Sequence, residues 1–134
     1  MGKRSRIRYN NVKWGKMIKE RKEAFVKLFK HFSEEAYKTA KEKGWCGKDK
    51  EPYTIIELLL NLHAEVSEAF EAMREGNPKD MYCPAFTSLE TELADVIIRI
   101  MTASESMGLK ISEAIISKME YNKTRSYRHG NKRY

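Results

Sequence analysis

Cysteine is nearly missing from this chain: Cys46 and Cys83 are the only two in 134 residues. Two thiols are too few for a disulfide scaffold, so reduced cysteines are expected. Long apolar runs are missing as well. No stretch approaches the roughly 20 residues that a membrane span requires, and Met1-Gly2-Lys3-Arg4-Ser5-Arg6 leads into no signal-peptide hydrophobic region. The same six residues fail the N-myristoylation pattern, because Arg6 stands where Ser or Thr is needed. A cytoplasmic protein that does not engage membranes is the expectation. Convincing strand patterns are absent too, which points to an all-α fold. The length suits one core but is short for two. We therefore read 1–134 as a single domain, with a basic arm over 1–13 and a basic tail over 126–134.

Acids are scarce at both ends. Residues 1–16 carry six Lys or Arg and no acid, and residues 118–134 carry six with only Glu120 against them. The 101 residues between hold 14 basic and 18 acidic side chains, so the formal charge of +7 conceals a mildly acidic body. Basic ends can bind nucleic acid or an anionic surface, can solubilise, or can close over a polyphosphate held by an acidic, metal-loaded body.

Four helical segments follow one another. The first is predicted from about Trp14 to Lys43, with Phe25, Leu28, Phe29 and Phe32 as its apolar stripe and Gly44 as its stop. The second runs from about Thr54 to Glu75. It opens on the capping box Thr54/Glu57 and closes at Gly76. A loop containing Asn77-Pro78-Lys79-Asp80 and Cys83-Pro84 follows. The third helix opens on a second capping box, Thr87/Glu90, and stops at Gly108. The fourth starts near Ile111 and fades after Arg125, before Gly130. The pattern is that of a four- to five-helix bundle.

Two acidic pairs stand out, Glu65-Val-Ser-Glu68 and Glu92-Leu-Ala-Asp95. Residues three apart on a helix share a face. On the second helix Asn61, Glu65, Glu68, Ala72 and Glu75 form a polar stripe opposite Leu58, Leu62, Val66, Ala69 and Met73. On the third, Ser88, Glu92, Asp95, Arg99 and Thr102 lie opposite Leu89, Leu93, Val96, Ile97 and Ile100. Either stripe alone reads as a solvated face. Two such pairs on consecutive antiparallel helices read differently, because four carboxylates meeting at one point would repel unless a hard cation such as Mg2+, or Mn2+ in its place, sat among them. The long apolar runs Ile55–Leu60 and Val96–Met101 suggest that the stripes line a cleft. On the last helix Lys118, Asn122 and Arg125, at i, i+4 and i+7, form a cationic and amide face suited to phosphate oxygens.

Other motifs fall away. His63-Ala64-Glu65 lacks the Pro-Cys-x-x-Cys of zinc deaminases, which leaves His63 at a core edge or beside the site. Gly44-Trp45-Cys46-Gly47-Lys48 is too short for a P-loop. Trp45 and the aromatics of the first helix suit core packing better than base stacking.

The acids form an E-x-x-E, 23-residue gap, E-x-x-D signature. Around it stand Ala40-Lys-Glu-Lys-Gly44-Trp45, Ser67-Glu68-Ala69, Glu92-Leu-Ala-Asp95-Val-Ile-Ile-Arg99-Ile, Lys118-Met-Glu-Tyr-Asn122-Lys-Thr-Arg125 and the tail Tyr127-Arg128-His129-Gly130-Asn131-Lys132. Over about residues 36 to 133 the sequence resembles the MazG-like branch of the all-α nucleoside triphosphate pyrophosphohydrolases. The resemblance implies a helical bundle completed as a homodimer or homotetramer. It also implies Mg2+ bound by Glu65, Glu68, Glu92 and Asp95, and substrate contacts from Lys118, Asn122 and Arg125. The implied reaction is hydrolysis of an NTP or dNTP between the α and β phosphates. Thr102 departs from the pattern, since an acid is expected there in many relatives. In this chemistry Glu65 or Glu68 would orient or deprotonate the attacking water. Two alternatives stay open: a narrower dUTP, dCTP or phosphoribosyl-nucleotide pyrophosphohydrolase, and a non-catalytic helical protein that binds nucleic acid through its basic ends.

Overall fold

The computed structural model describes residues 2–46 and 54–126, and the chain there is all-α. Its helices are α1 (Gly2–Glu42), α2 (Ile55–Arg74), α3 (Ser88–Met107) and α4 (Ile111–Thr124). The only other regular pairing among these residues is an isolated antiparallel bridge between Lys79 and Thr87. The tail at 127–134, the expected stop before Gly130, and Gly47-Lys48 lie outside the described residues.

α1 reaches back to Gly2 rather than starting at Trp14, giving a helix of 41 residues. The added stretch is rich in Lys and Arg, whose unbranched side chains lose little freedom in a helix, and it contains no proline. Exposed pairs Lys16–Glu20, Lys19–Glu23 and Lys30–Glu34 decorate the helix at 3.8–3.9 Å. Such pairs contribute only a few tenths of a kcal/mol each. The expected apolar stripe is only partly used, since Phe29 is buried while Phe25, Leu28 and Phe32 are exposed.

The helix boundaries are written in local chemistry. Thr54 and Thr87 each accept a hydrogen bond from the backbone N–H of the residue three further on, and Glu57 and Glu90 accept the reciprocal one from the cap residue's N–H. At the other ends the same device recurs three times. The N–H groups of Trp45, Asn77 and Leu109 reach back to the carbonyls of Ala40, Ala72 and Ser104. The glycine before each, Gly44, Gly76 or Gly108, takes a positive φ of 63–86°. This is the Schellman turn, in which a left-handed residue without Cβ closes the helix.

The chain groups into two compact units. In one, the first part of α1, through Phe29, groups with α4, and the Lys22 ammonium pairs with the Glu120 carboxylate. The other spans residues 30–109 and contains the end of α1 with α2 and α3. Within it α2 and α3 run antiparallel. Leu58 packs with Ala103, Glu65 pairs with Arg99, and the Asn77 side chain accepts from the Leu89 N–H, so the partners descend as α2 ascends. Leu58 and Ala103 form the buried centre, with Cys46, Leu62 and Met107 around it.

The loop between these helices is tied tightly. Asp80 accepts from the N–H groups of Tyr82 (2.9 Å) and Cys83 (2.6 Å), and from the Thr91 hydroxyl (3.2 Å). The Ser88 N–H donates to the Pro78 carbonyl at 2.9 Å. Asn77 sits at φ 52°, a left-handed conformation that asparagine tolerates better than most residues.

Candidate active site

The inward face of α2 is only in part the apolar stripe expected from the sequence, with Leu58 and Ala69 buried and Leu62 half-buried. Glu65 is buried together with Leu58, Ala69 and Ala72, whereas Val66 and Met73 are exposed. α3 does likewise: it buries Thr102 and Ala103 and leaves Leu93 and Ile97 exposed. The acid-bearing stripes are thus only partly turned inward: Glu65 and Thr102 are buried and Asn61, Glu92 and Arg99 half-buried, while Glu68, Glu75 and Asp95 are exposed as on a solvated face. The two polar stripes meet where Glu65 on one helix pairs with Arg99 on the other.

This arrangement gathers Glu65, Glu68 and Glu92 so that one carboxylate oxygen from each lies within 4.8 Å of the others. Asp95 stands one turn beyond Glu92 and is close enough to Glu65 for their charges to interact. Burial pushes the Glu92 carboxyl above its ordinary pKa, and the negative charges of Glu68, Asp95, Glu65 and Asp80 push it the same way. Asp95 is raised by burial first and then by Glu65 and Asp80, with the Arg99 guanidinium pulling it back. Both Nε and Nη2 of Arg99 close on Oε1 of Glu65. The donor set is all oxygen, drawn from two rigid helices and partly sheltered from water, which is the ligand chemistry of a hard divalent cation.

Beside the acids lies a cavity of about 890 Å3. Glu65, Asp95 and Arg99 form part of its wall, and Phe32, Trp45 and Asn61 form another part. Trp45, expected in the core, is 66% exposed and faces this space. Cys46 is half-buried in the same wall, and burial pushes its thiol up. His63, placed by sequence at a core edge or near the site, is exposed instead. Asp80 was not foreseen as a contributor. Its sequence signal was only that of a turn, yet its charge reaches both Glu92 and Asp95.

The three basic and amide positions fall in the other unit. Lys118 and Asn122 lie on α4, while Arg125 is its C-cap residue, with an extended backbone. The helical i+7 spacing is thus broken at Arg125. The Lys118 ammonium nevertheless sits 5.0 Å from the Tyr121 ring centroid and the Arg125 guanidinium 5.8 Å, so the ring draws both cations together.

Residues 53–128 match the MazG nucleotide pyrophosphohydrolase domain. The chain belongs to this family, and the match supports nucleotide pyrophosphohydrolase activity in general, with a nucleotide as substrate. The matched region contains all four signature acids together with Lys118, Asn122 and Arg125, and it begins after α1. Comparison with curated proteins and with solved structures gave no match. Among the described residues no helix is long and apolar enough to cross a membrane.

Proposed function

We propose that this protein is a cytoplasmic, single-domain, Mg2+-dependent nucleoside triphosphate pyrophosphohydrolase that splits NTPs or dNTPs between the α and β phosphates. The observation that carries this reading is the convergence of Glu65, Glu68 and Glu92, with Glu65 and Asp95 also lining a cavity large enough for a nucleotide. Glu65, Glu68, Glu92 and Asp95 would hold the ion, with Mn2+ as a substitute. When bound, it supplies Lewis acidity at the phosphoryl oxygens and lowers the pKa of bound water.

The remaining roles belong to the chain. Glu65 or Glu68 orients or deprotonates the attacking water, which requires a carboxylate not fully spent on the cation. Lys118 and Arg125 donate to phosphate oxygens and stabilise the charge that grows on the pyrophosphate leaving group, and Asn122 adds an amide donor. The indole of Trp45 and the ring of Phe32 offer apolar faces for the base. The working assembly is a homodimer or homotetramer. In support of this, Ile56, Leu60, Val66 and Phe70 on α2 are 53–67% exposed, on a chain in which 34% of residues are charged.

The test is release of pyrophosphate from a panel of canonical and modified NTPs and dNTPs, with Mg2+ and with EDTA. Equimolar monophosphate and pyrophosphate that vanish with EDTA are expected, and the panel ranks the bases. No release from any nucleotide would overturn the assignment.

A further inference from the structure

Glu65 serves two masters. Its carboxylate belongs to the three-acid group, and the same carboxylate is engaged by two nitrogens of Arg99 through Oε1. A guanidinium and a divalent cation cannot share that oxygen cheaply, because both are positive and both need the same lone pairs. The two partners also differ in exposure. The Glu65 side chain is only 7% exposed and is held between the helices, whereas that of Arg99 is 36% exposed and borders the cavity. If one of the pair moves, it is the arginine, and the cavity gives it room.

We infer that Arg99 is a resident counter-ion that competes with the metal for Glu65. In the metal-free protein it offsets part of the repulsion among the clustered acids. As a cation enters, the guanidinium leaves Oε1 for the cavity. Metal affinity is thereby set below what the four carboxylates alone would give. This rests on the reading of the acids as a metal site.

Mn2+ is titrated into the nucleotide-free wild type, Arg99→Met and Arg99→Lys proteins, with free Mn2+ read by its electron paramagnetic resonance signal. Melting is followed in parallel, with and without saturating Mn2+. Competition predicts that Arg99→Met binds Mn2+ about fivefold more tightly or better, the lower edge of ordinary coupling between two ligands of one site. Arg99→Lys should stay nearer wild type. Competition also predicts that Arg99→Met melts lower than wild type without metal, and that the gap closes when Mn2+ is saturating. A purely structural ion pair would leave the gap open in both conditions. Mn2+ affinity unchanged or weakened in a folded Arg99→Met protein, with the wild type binding Mn2+, overturns this proposal alone. No binding by any of the three proteins overturns the metal reading and the proposal with it.

Discussion

Glutamates at the starts of α2 and α3 and two acids further along α3 are driven in opposite directions. Glu57 and Glu90 accept backbone and hydroxyl hydrogen bonds from Thr54 and Thr87, and these contacts hold both carboxyls below the usual range. Glu92, half-buried, and Asp95 lose part of their solvation beside other negative charges and are pushed above it. The residue chemistry is the same, and Glu90 and Glu92 are only two positions apart on one helix, so the company is what differs. Where a carboxylate has donors it stabilises the fold, and where it has other acids for neighbours it costs stability until something positive arrives. That is how a binding site can be told from a cap without any ligand in view.

The contrast can be broken most forcefully at its functional end. Glu92→Gln or Asp95→Asn is expected to abolish turnover, by at least about 100-fold, since even outer partners of a metal site cost 10–100-fold when removed. Circular dichroism should show the helices intact. Activity retained in both variants would sink the assignment of these acids.

The next effect concerns the caps. Thr54→Ala and Thr87→Ala should each lower stability by about 1 kcal/mol in urea unfolding, the ordinary value of an N-cap. The loss should be the same with and without divalent metal, because the caps do not belong to the site. A metal-dependent loss would erase the distinction drawn between the two sets of acids.

A smaller and opposite change is expected in the site. Without metal, Glu92→Gln should raise stability by about 0.5 kcal/mol, a figure that allows for solvent screening of a partly exposed carboxylate. A gain in stability coupled to lost activity is the mark of a residue kept for function.

The pH dependence is the subtlest readout. Glu92 and Asp95 bind protons more tightly folded than unfolded. Their contribution therefore favours the fold at low pH and is lost as pH rises from the ordinary carboxylate range through their raised values. Glu57 and Glu90 behave in the reverse sense, adding stability above the carboxylate range that disappears as pH falls through their lowered values. Melting of the metal-free protein across about pH 3 to 8 should show the Glu92→Gln variant declining less than wild type on the upper side. Thr54→Ala should flatten the acid side instead.

Much of this could be read in the sequence, for reasons that are local. Thr54/Glu57 and Thr87/Glu90 announce helix starts because the partners are three residues apart, and Gly44, Gly76 and Gly108 announce stops because a left-handed turn needs them. The acid pairs could be read for the same reason of spacing. What could not be read depends on which side of each helix meets its neighbour. Val66 and Met73 look like core residues in any periodicity argument, yet Glu65 is the residue turned inward. Trp45 has the size of a core residue, yet it stands exposed on a cavity wall while the neighbouring Cys46 packs against the core. The Arg99–Glu65 pair spans 34 positions and leaves no mark on either local segment.

The clamp at the base of the α2–α3 pair carries a last consequence, for insertions and deletions. Asn77 to Leu89, Pro78 to Ser88 and Lys79 to Thr87 lock the two helix ends in register. The acids are then placed by counting outward from that lock: nine residues back to Glu68 and three forward to Glu92. Residues added among 81–86 would disturb the hydrogen bonds at the loop tip but leave both counts untouched. A single residue added between Glu68 and Gly76 would swing one acid pair by about 100° around its helix axis, away from its partners. The placement of the acids is thus indifferent to length at the loop tip and sensitive to it only a few residues away.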